Sequence, residues 1–127
     1  RFIPMPKRVL SVGQCVPDSS SLTRFLTSHF DVKIDQADVE NDTIEKLKST
    51  EYDLVLINRK LDADYSDGIE LIQKIKATSD VKQSPLMLVS NYQEYQEQAV
   101  EVGAVYGIGK DQYRDPQTAA RLQPYLG

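Results

Sequence analysis

The sequence predicts an α/β domain: a doubly wound sheet of five parallel strands with helices on both faces. Short apolar runs alternate five times with segments of helical periodicity, and the connections between runs are too long for hairpins. The third run, Leu54 to Ile57, is apolar at every position, as a strand covered on both faces must be. At 127 residues the chain is one domain's worth, long enough for an ordinary core.

Arg8-Val-Leu-Ser-Val12 reads as the first strand, followed by Gly13 and a polar loop reaching Pro17. Asp18 and the Ser19-Ser20-Ser21 run offer caps for a helix on which Leu22, Phe25, Leu26 and Phe30 recur at helical spacing. Val32-Lys-Ile-Asp35 alternates as a half-buried strand, and Asp42-Thr-Ile-Glu45 has the spacing of a capping box ahead of Leu47. The Leu54–Ile57 strand ends at Asn58. Asp67-Gly68 opens a third helix with Ile69, Ile72 and Ile75 on one face, and Pro85 introduces a fourth strand through Val89. Tyr92 to Val102 reads as a largely polar helix ending at Gly103, Ala104 to Ile108 as the last strand, and Pro116 to Tyr125 as the last helix. Pro124 is expected to fray its final turn. Residues 1–6, with Pro4 and Pro6, read as a linker or an excised remnant ahead of a domain at 7–127.

Fifteen basic residues against nineteen acidic ones give a net charge of −4, with the basic residues scattered. That leaves no electrostatic footprint for nucleic acid or anionic lipid. No apolar run approaches the ~20 residues needed to cross a bilayer. The single cysteine, Cys15, can close no intrachain disulfide and suits a reducing compartment, so a cytoplasmic location is expected. Cys15 reads as a small semi-buried loop residue and His29 as the surface end of a helix.

In a doubly wound sheet functional groups collect beyond the carboxyl ends of the strands. Those positions are Gly13-Gln14, Asn58, Ser90 and Gly109-Lys110. With Asp53-Leu-Val-Leu-Ile-Asn58, Asp67-Gly68-Ile-Glu-Leu71 and Pro85-Leu-Met-Leu-Val-Ser90 leading to Lys110, the chain resembles the receiver domain of two-component response regulators from Lys7 to the last helix. The resemblance implies the flavodoxin-like (βα)5 fold. It places Asn58 at the phosphoacceptor position, Gly13 and Gln14 at the acidic pair, and Ser90 and Lys110 at the switch hydroxyl and lysine. In a working receiver the three carboxylates hold Mg²⁺, and an acyl phosphate forms only on a carboxylate oxygen. Amides do neither, so a degenerate pseudo-receiver is expected: no catalytic residue, cofactor or metal, no enzymatic activity, and Gln14 and Asn58 as structural hydrogen-bonders.

Three departures point the same way. The spacing from Asn58 to Gly68 is longer than the family's, Asp111 stands where a proline usually follows the lysine, and Gly107 stands at the switch aromatic with Tyr106 one place earlier. Ser90 is also a candidate cap for the Tyr92 helix, and Lys110 is left to pair with Asp111, Asp62 or Asp18. The expected role is signal transduction by protein–protein interaction without aspartyl phosphorylation. The partner is a protein or an attached output domain, with a homodimer as one form. The face receivers commonly use comprises the fourth helix, fifth strand and fifth helix, where Tyr92, Tyr95, Tyr106, Tyr113 and Tyr125 gather.

Other readings exist. A displaced carboxylate, Asp62 or Asp64, would make a phosphorelay receiver. The hydroxyls of Ser19-Ser20-Ser21-Leu-Thr23 at a helix start would suit a small phosphorylated ligand, as in a flavodoxin-like binder, although helix capping accounts for them better. Asp62-Ala-Asp64-Tyr-Ser-Asp67-Gly68 has the density of acids of a Ca²⁺ loop but the wrong spacing, and reads instead as a solvated loop with Asp67 as cap.

Overall fold

The computed structural model describes residues 5–127. Its strands β1 (Lys7–Val12), β2 (Val32–Ala37), β3 (Leu54–Asn58), β4 (Leu86–Val89) and β5 (Val105–Ile108) form one parallel sheet in the order β2-β1-β3-β4-β5. The helices α1 (Val16–His29), α2 (Glu40–Ser49), α3 (Gly68–Ala77), α4 (Gln93–Glu101) and α5 (Pro116–Leu126) make the crossovers, and a short 3₁₀ turn spans Lys110–Gln112. This is the doubly wound sheet that the alternation of runs predicts.

Side chains alternate across each strand, and the parallel register aligns the alternation. Val9, Leu54, Leu56, Met87 and Val89 face α1 and α5, packing with Leu22, Leu26, Leu122 and Leu126. Leu10, Val12, Val55, Ile57, Leu86 and Leu88 face the other way, toward Leu47, Ile72, Ile75 and Ala99 on α2, α3 and α4. Each fully buried side chain of this kind is worth about 1.5–3 kcal/mol against exposure, so the two-sided core fixes the register.

Several element ends differ from expectation. Helix α1 starts at Val16 with Cys15 as N-cap, so the serine run lies inside the helix and not at its cap. Pro17 explains the early start, because the N–H it lacks would have no partner in a first turn. Asp42 is the third residue of α2, not its cap; its carboxylate reaches back to accept the N–H groups of Asp38 and Val39, both at 2.8 Å. Pro124 does not fray α5, which continues to Leu126 with the Gly127 N–H on the Gln123 carbonyl at 2.9 Å. Buried Leu122 and Leu126 hold that turn on the core. Strand β1 begins at Lys7, one residue before the expected start at Arg8, and the first four residues of the expected linker lie outside the described residues. Among the described residues no helix is long and apolar enough to cross a membrane.

Candidate functional site

The chain leaves β1 toward β2 on one side and pairs it with β3 on the other, so the crevice of the fold lies beyond the carboxyl ends of β1 and β3. Asn58, the last residue of β3, is buried there. Its Nδ2 donates to the Gly13 carbonyl at 3.2 Å and the Lys60 carbonyl at 2.8 Å, and its Oδ1 accepts the Arg59 N–H at 3.1 Å. One amide proton ties the β3 end to the end of β1 and the other fixes the turn that leaves β3, so the residue acts as a structural hydrogen-bonder.

The β3–α3 connection folds back over this point. Lys60 and Asp67 form an antiparallel bridge, and the Leu61 N–H bonds the Ser66 carbonyl at 2.9 Å while the Gly68 N–H bonds the Arg59 carbonyl at 2.8 Å. Tyr65 turns the tip in the left-handed region, at φ 57°, with its side chain exposed. The result seats Leu61, fully buried, on Gly13. Gly13 has φ 73°, and a Cβ there would meet Leu61 Cδ2 at 2.4 Å and its Cα at 2.9 Å, so only glycine admits the leucine. The Asp62 N–H closes the lid on the Gly13 carbonyl at 3.0 Å.

Gln14 departs from expectation. Its Nε2 is buried without a hydrogen-bond partner among the described residues. The adjacent Gly13 carbonyl already accepts two N–H groups, those of Asn58 Nδ2 and Asp62.

Lys110 chooses Asp18 among its three candidate acids, with Nζ 2.6 Å from Oδ2. That hydrogen bond, seconded by one from the Cys15 thiol, holds the Asp18 carboxyl below its ordinary range against the cost of burial. The Asp111 N–H goes instead to Asn91 Oδ1 at 3.0 Å. Ser90 is buried, and its Oγ accepts the Tyr92 N–H at 3.3 Å. Tyr92 itself is the N-cap of α4, so Ser90 supports the turn before the helix and does not cap it.

The acids of the 62–67 loop are dispersed. Asp64 accepts the Ser66 N–H and Oγ–H at 3.0 and 2.6 Å, and Asp67 caps α3 through the Ile69 N–H at 2.9 Å. Among the described residues no three His, Cys, Asp or Glu side chains converge as a metal site would need. The receiver resemblance implies Mg²⁺ at the β1 and β3 ends. The groups there are two amides and a leucine, which do not fit a hard cation that takes carboxylates and water.

The tyrosines divide. Tyr92 is exposed and meets Tyr95 edge-on at 5.9 Å, while Tyr95 carries the Arg59 guanidinium 4.3 Å from its ring. Tyr106 points outward under Arg121, which also donates to the Tyr106 carbonyl at 2.9 Å. Tyr113, however, stacks on Phe25 of α1 at 4.8 Å, and burial pushes its phenol well above its ordinary value. Tyr113 and Tyr125 both pack against the α1–α5 core, which leaves Tyr92, Tyr95 and Tyr106 of the five away from it. Sequence reasoning missed Leu61 and Gln96. The long Asn58–Gly68 spacing was the available signal for the first; the second had none, since a polar residue on a polar helix reads as solvated.

The profile of the response regulator receiver domain matches residues 17–120, and the chain belongs to that family. No curated protein matches. Among solved structures, the chain is similar to the signal receiver domain of the response regulator NarL from Mycobacterium tuberculosis, at 20% identity and TM-score 0.73, covering 96% of this chain and 98% of that one. The CheY-like receiver domain from Methylobacillus flagellatus gives 19% identity and TM-score 0.67 over 94% and 95% of the two chains. The Salmonella typhimurium response regulator RcsB gives 18% and 0.70 over 94% of this chain and 60% of that one. The fold is thus the receiver fold, and the domain is one of two-component signalling.

Proposed function

We propose that this receiver domain signals without aspartyl phosphorylation, as a non-enzymatic docking element whose partner is a protein or an attached output domain. The carrying observation is Leu61 on Gly13. An apolar side chain covers Gly13, one of the positions from which a receiver's acidic pair would reach Mg²⁺, and the residue at the acceptor position, Asn58, is an amide with both protons engaged. Withdrawing a fully buried leucine costs about 1.5–3 kcal/mol before any anion approaches, and the amide behind it offers no carboxylate oxygen to phosphorylate. Lys110, paired with Asp18, is already neutralised.

The α4–β5–α5 face, with exposed Tyr92 and Tyr106, is the docking surface in this reading. Incubation with Mg²⁺ and acetyl phosphate, followed by intact mass measurement, is expected to leave the mass unchanged. A stable added phosphate, on Asp62, Asp64 or any other acid, would overturn the proposal in favour of a displaced acceptor.

A further inference from the structure

We infer that Gln96 is a positioning residue that locks α4 onto the ends of β4 and β5, holding the α4–β5–α5 face in one conformation; this rests on the phosphorylation-independent reading above. The side chain is 3% exposed in the middle of an otherwise polar helix. Its Nε2 donates to the Leu88 carbonyl at 2.9 Å and the Ser90 carbonyl at 3.1 Å, with the Ile108 carbonyl at 3.4 Å, and its Oε1 accepts the Gly107 N–H at 2.8 Å. One amide therefore joins a helix to two strands.

The backbone creates the need for it. Met87 pairs with Val105 and Val89 with Ile108, so β5 carries one residue more than β4 across this step. Such a bulge removes backbone groups from the ladder and leaves them to be satisfied by something else. Gln96 supplies that partner to Gly107. No side chain could stand at 107, because a Cβ there would lie 2.0 Å from the Leu88 carbonyl and 2.9 Å from Gln96 Oε1. The amide thus occupies the space into which a residue at 107 would project, while the bulge turns Tyr106 outward.

Helix α4 rests on few fully buried side chains, with Tyr95 and Val102 half-buried beside them. Its buried residues are Gln96 and Ala99, and a nine-residue helix owes most of its stability to packing. The residue before Gln96 adds the second tie, Tyr95 under the Arg59 guanidinium, and Arg59 in turn lies 3.6 Å from Asp67 at the start of α3. Consecutive residues 95 and 96 therefore tie the helix to the β3–α3 loop and to the β4–β5 ends.

Amide hydrogen exchange on the whole chain, comparing wild type with Gln96→Met, tests the lock. Methionine keeps the length and volume but makes none of the four hydrogen bonds. Exchange in α4 and at Gly107 is expected to accelerate by about tenfold or more, with β1 and β3 unchanged. Equal acceleration throughout, or none in α4, would overturn the proposal. Should the variant fail to fold, ¹⁵N relaxation dispersion on wild type decides: flat profiles in α4 and β5 support the lock, and millisecond exchange confined to them refutes it. Adding Mg²⁺ and beryllofluoride to wild type separates the two readings. A change in α4 protection would count against the phosphorylation-independent pocket, whereas silence there together with an inert Gln96→Met would count against the lock alone.

Discussion

Leu61 and Asn58 illustrate how much a single position decides. Leu61 is fully buried although it sits in a long polar loop, so Leu61→Ala is expected to cost about 2–4 kcal/mol, read as a lower urea midpoint. Asn58→Asp would turn a carboxylate oxygen toward the Gly13 and Lys60 carbonyls that Nδ2 now serves. It should destabilise by about 1–3 kcal/mol at neutral pH and still take up no phosphate from acetyl phosphate. A second buried polar group, Tyr52, contributes to the pH behaviour alongside Tyr113. The Tyr52 hydroxyl donates to Asp35 at 2.7 Å beside Arg8, and burial with that carboxylate pushes the phenol up to about 12. The same hydrogen bond, foremost among its causes, holds the Asp35 carboxyl below its ordinary value. A raised folded value means a contribution present below the unfolded value of 10.0 and lost as pH rises toward about 12. A depressed one means a contribution present above 3.8 and lost on acidification through the lowered value. Tyr52→Phe is therefore expected to flatten the alkaline limb of a stability–pH curve and shrink the acid limb. Asn58 and Lys110 were legible in the sequence because strand ends announce themselves. Gln96 was not, because burial of an amide leaves no periodic trace, and Leu61 was announced only by the long Asn58–Gly68 spacing, which does not say which loop residue turns inward.

At the scale of elements, local chemistry and tertiary support can be told apart. Asp67 caps α3 as its position before Gly68 predicts, and Asp67→Ala should cost about 1 kcal/mol, with fraying of α3 seen by hydrogen exchange. Gly68 itself allows no replacement, since a Cβ would lie 2.0 Å from the Asn58 carbonyl. Helix α5 tells the opposite story. Pro124 sits inside it and removes one backbone hydrogen bond, yet the helix persists on Leu122 and Leu126. Pro124→Ala is expected to raise the thermal midpoint, by about 1 kcal/mol of stability, because the core already holds the turn in helical form. Boundaries set by caps were read well at α3 and poorly at α1 and α2. There the serine run and Asp42 had several possible offsets, and packing selected among them.

For the molecule as a whole, the acidic balance matters less than where the acids lie. Asp18, Asp64 and Asp67 are committed to Lys110, Ser66 and the α3 cap, so an overall charge of −4 coexists with crevice strand ends that carry no acid. A ligand that binds only the folded state raises its stability by mass action. Millimolar Mg²⁺ is accordingly expected to leave the melting temperature where sodium chloride of equal ionic strength leaves it, as followed by scanning calorimetry. The order of strands and helices, the two-sided sheet and the identity of the strand-end residues follow from the chain alone, because periodicity and turn chemistry act over a few neighbours. Which acid Lys110 takes, which tyrosines share a face, and that a leucine sits on Gly13 while a glutamine serves the bulge were decided only in three dimensions. Those contacts join residues such as 13 with 61 and 96 with 107, and nothing local to either partner encodes the other.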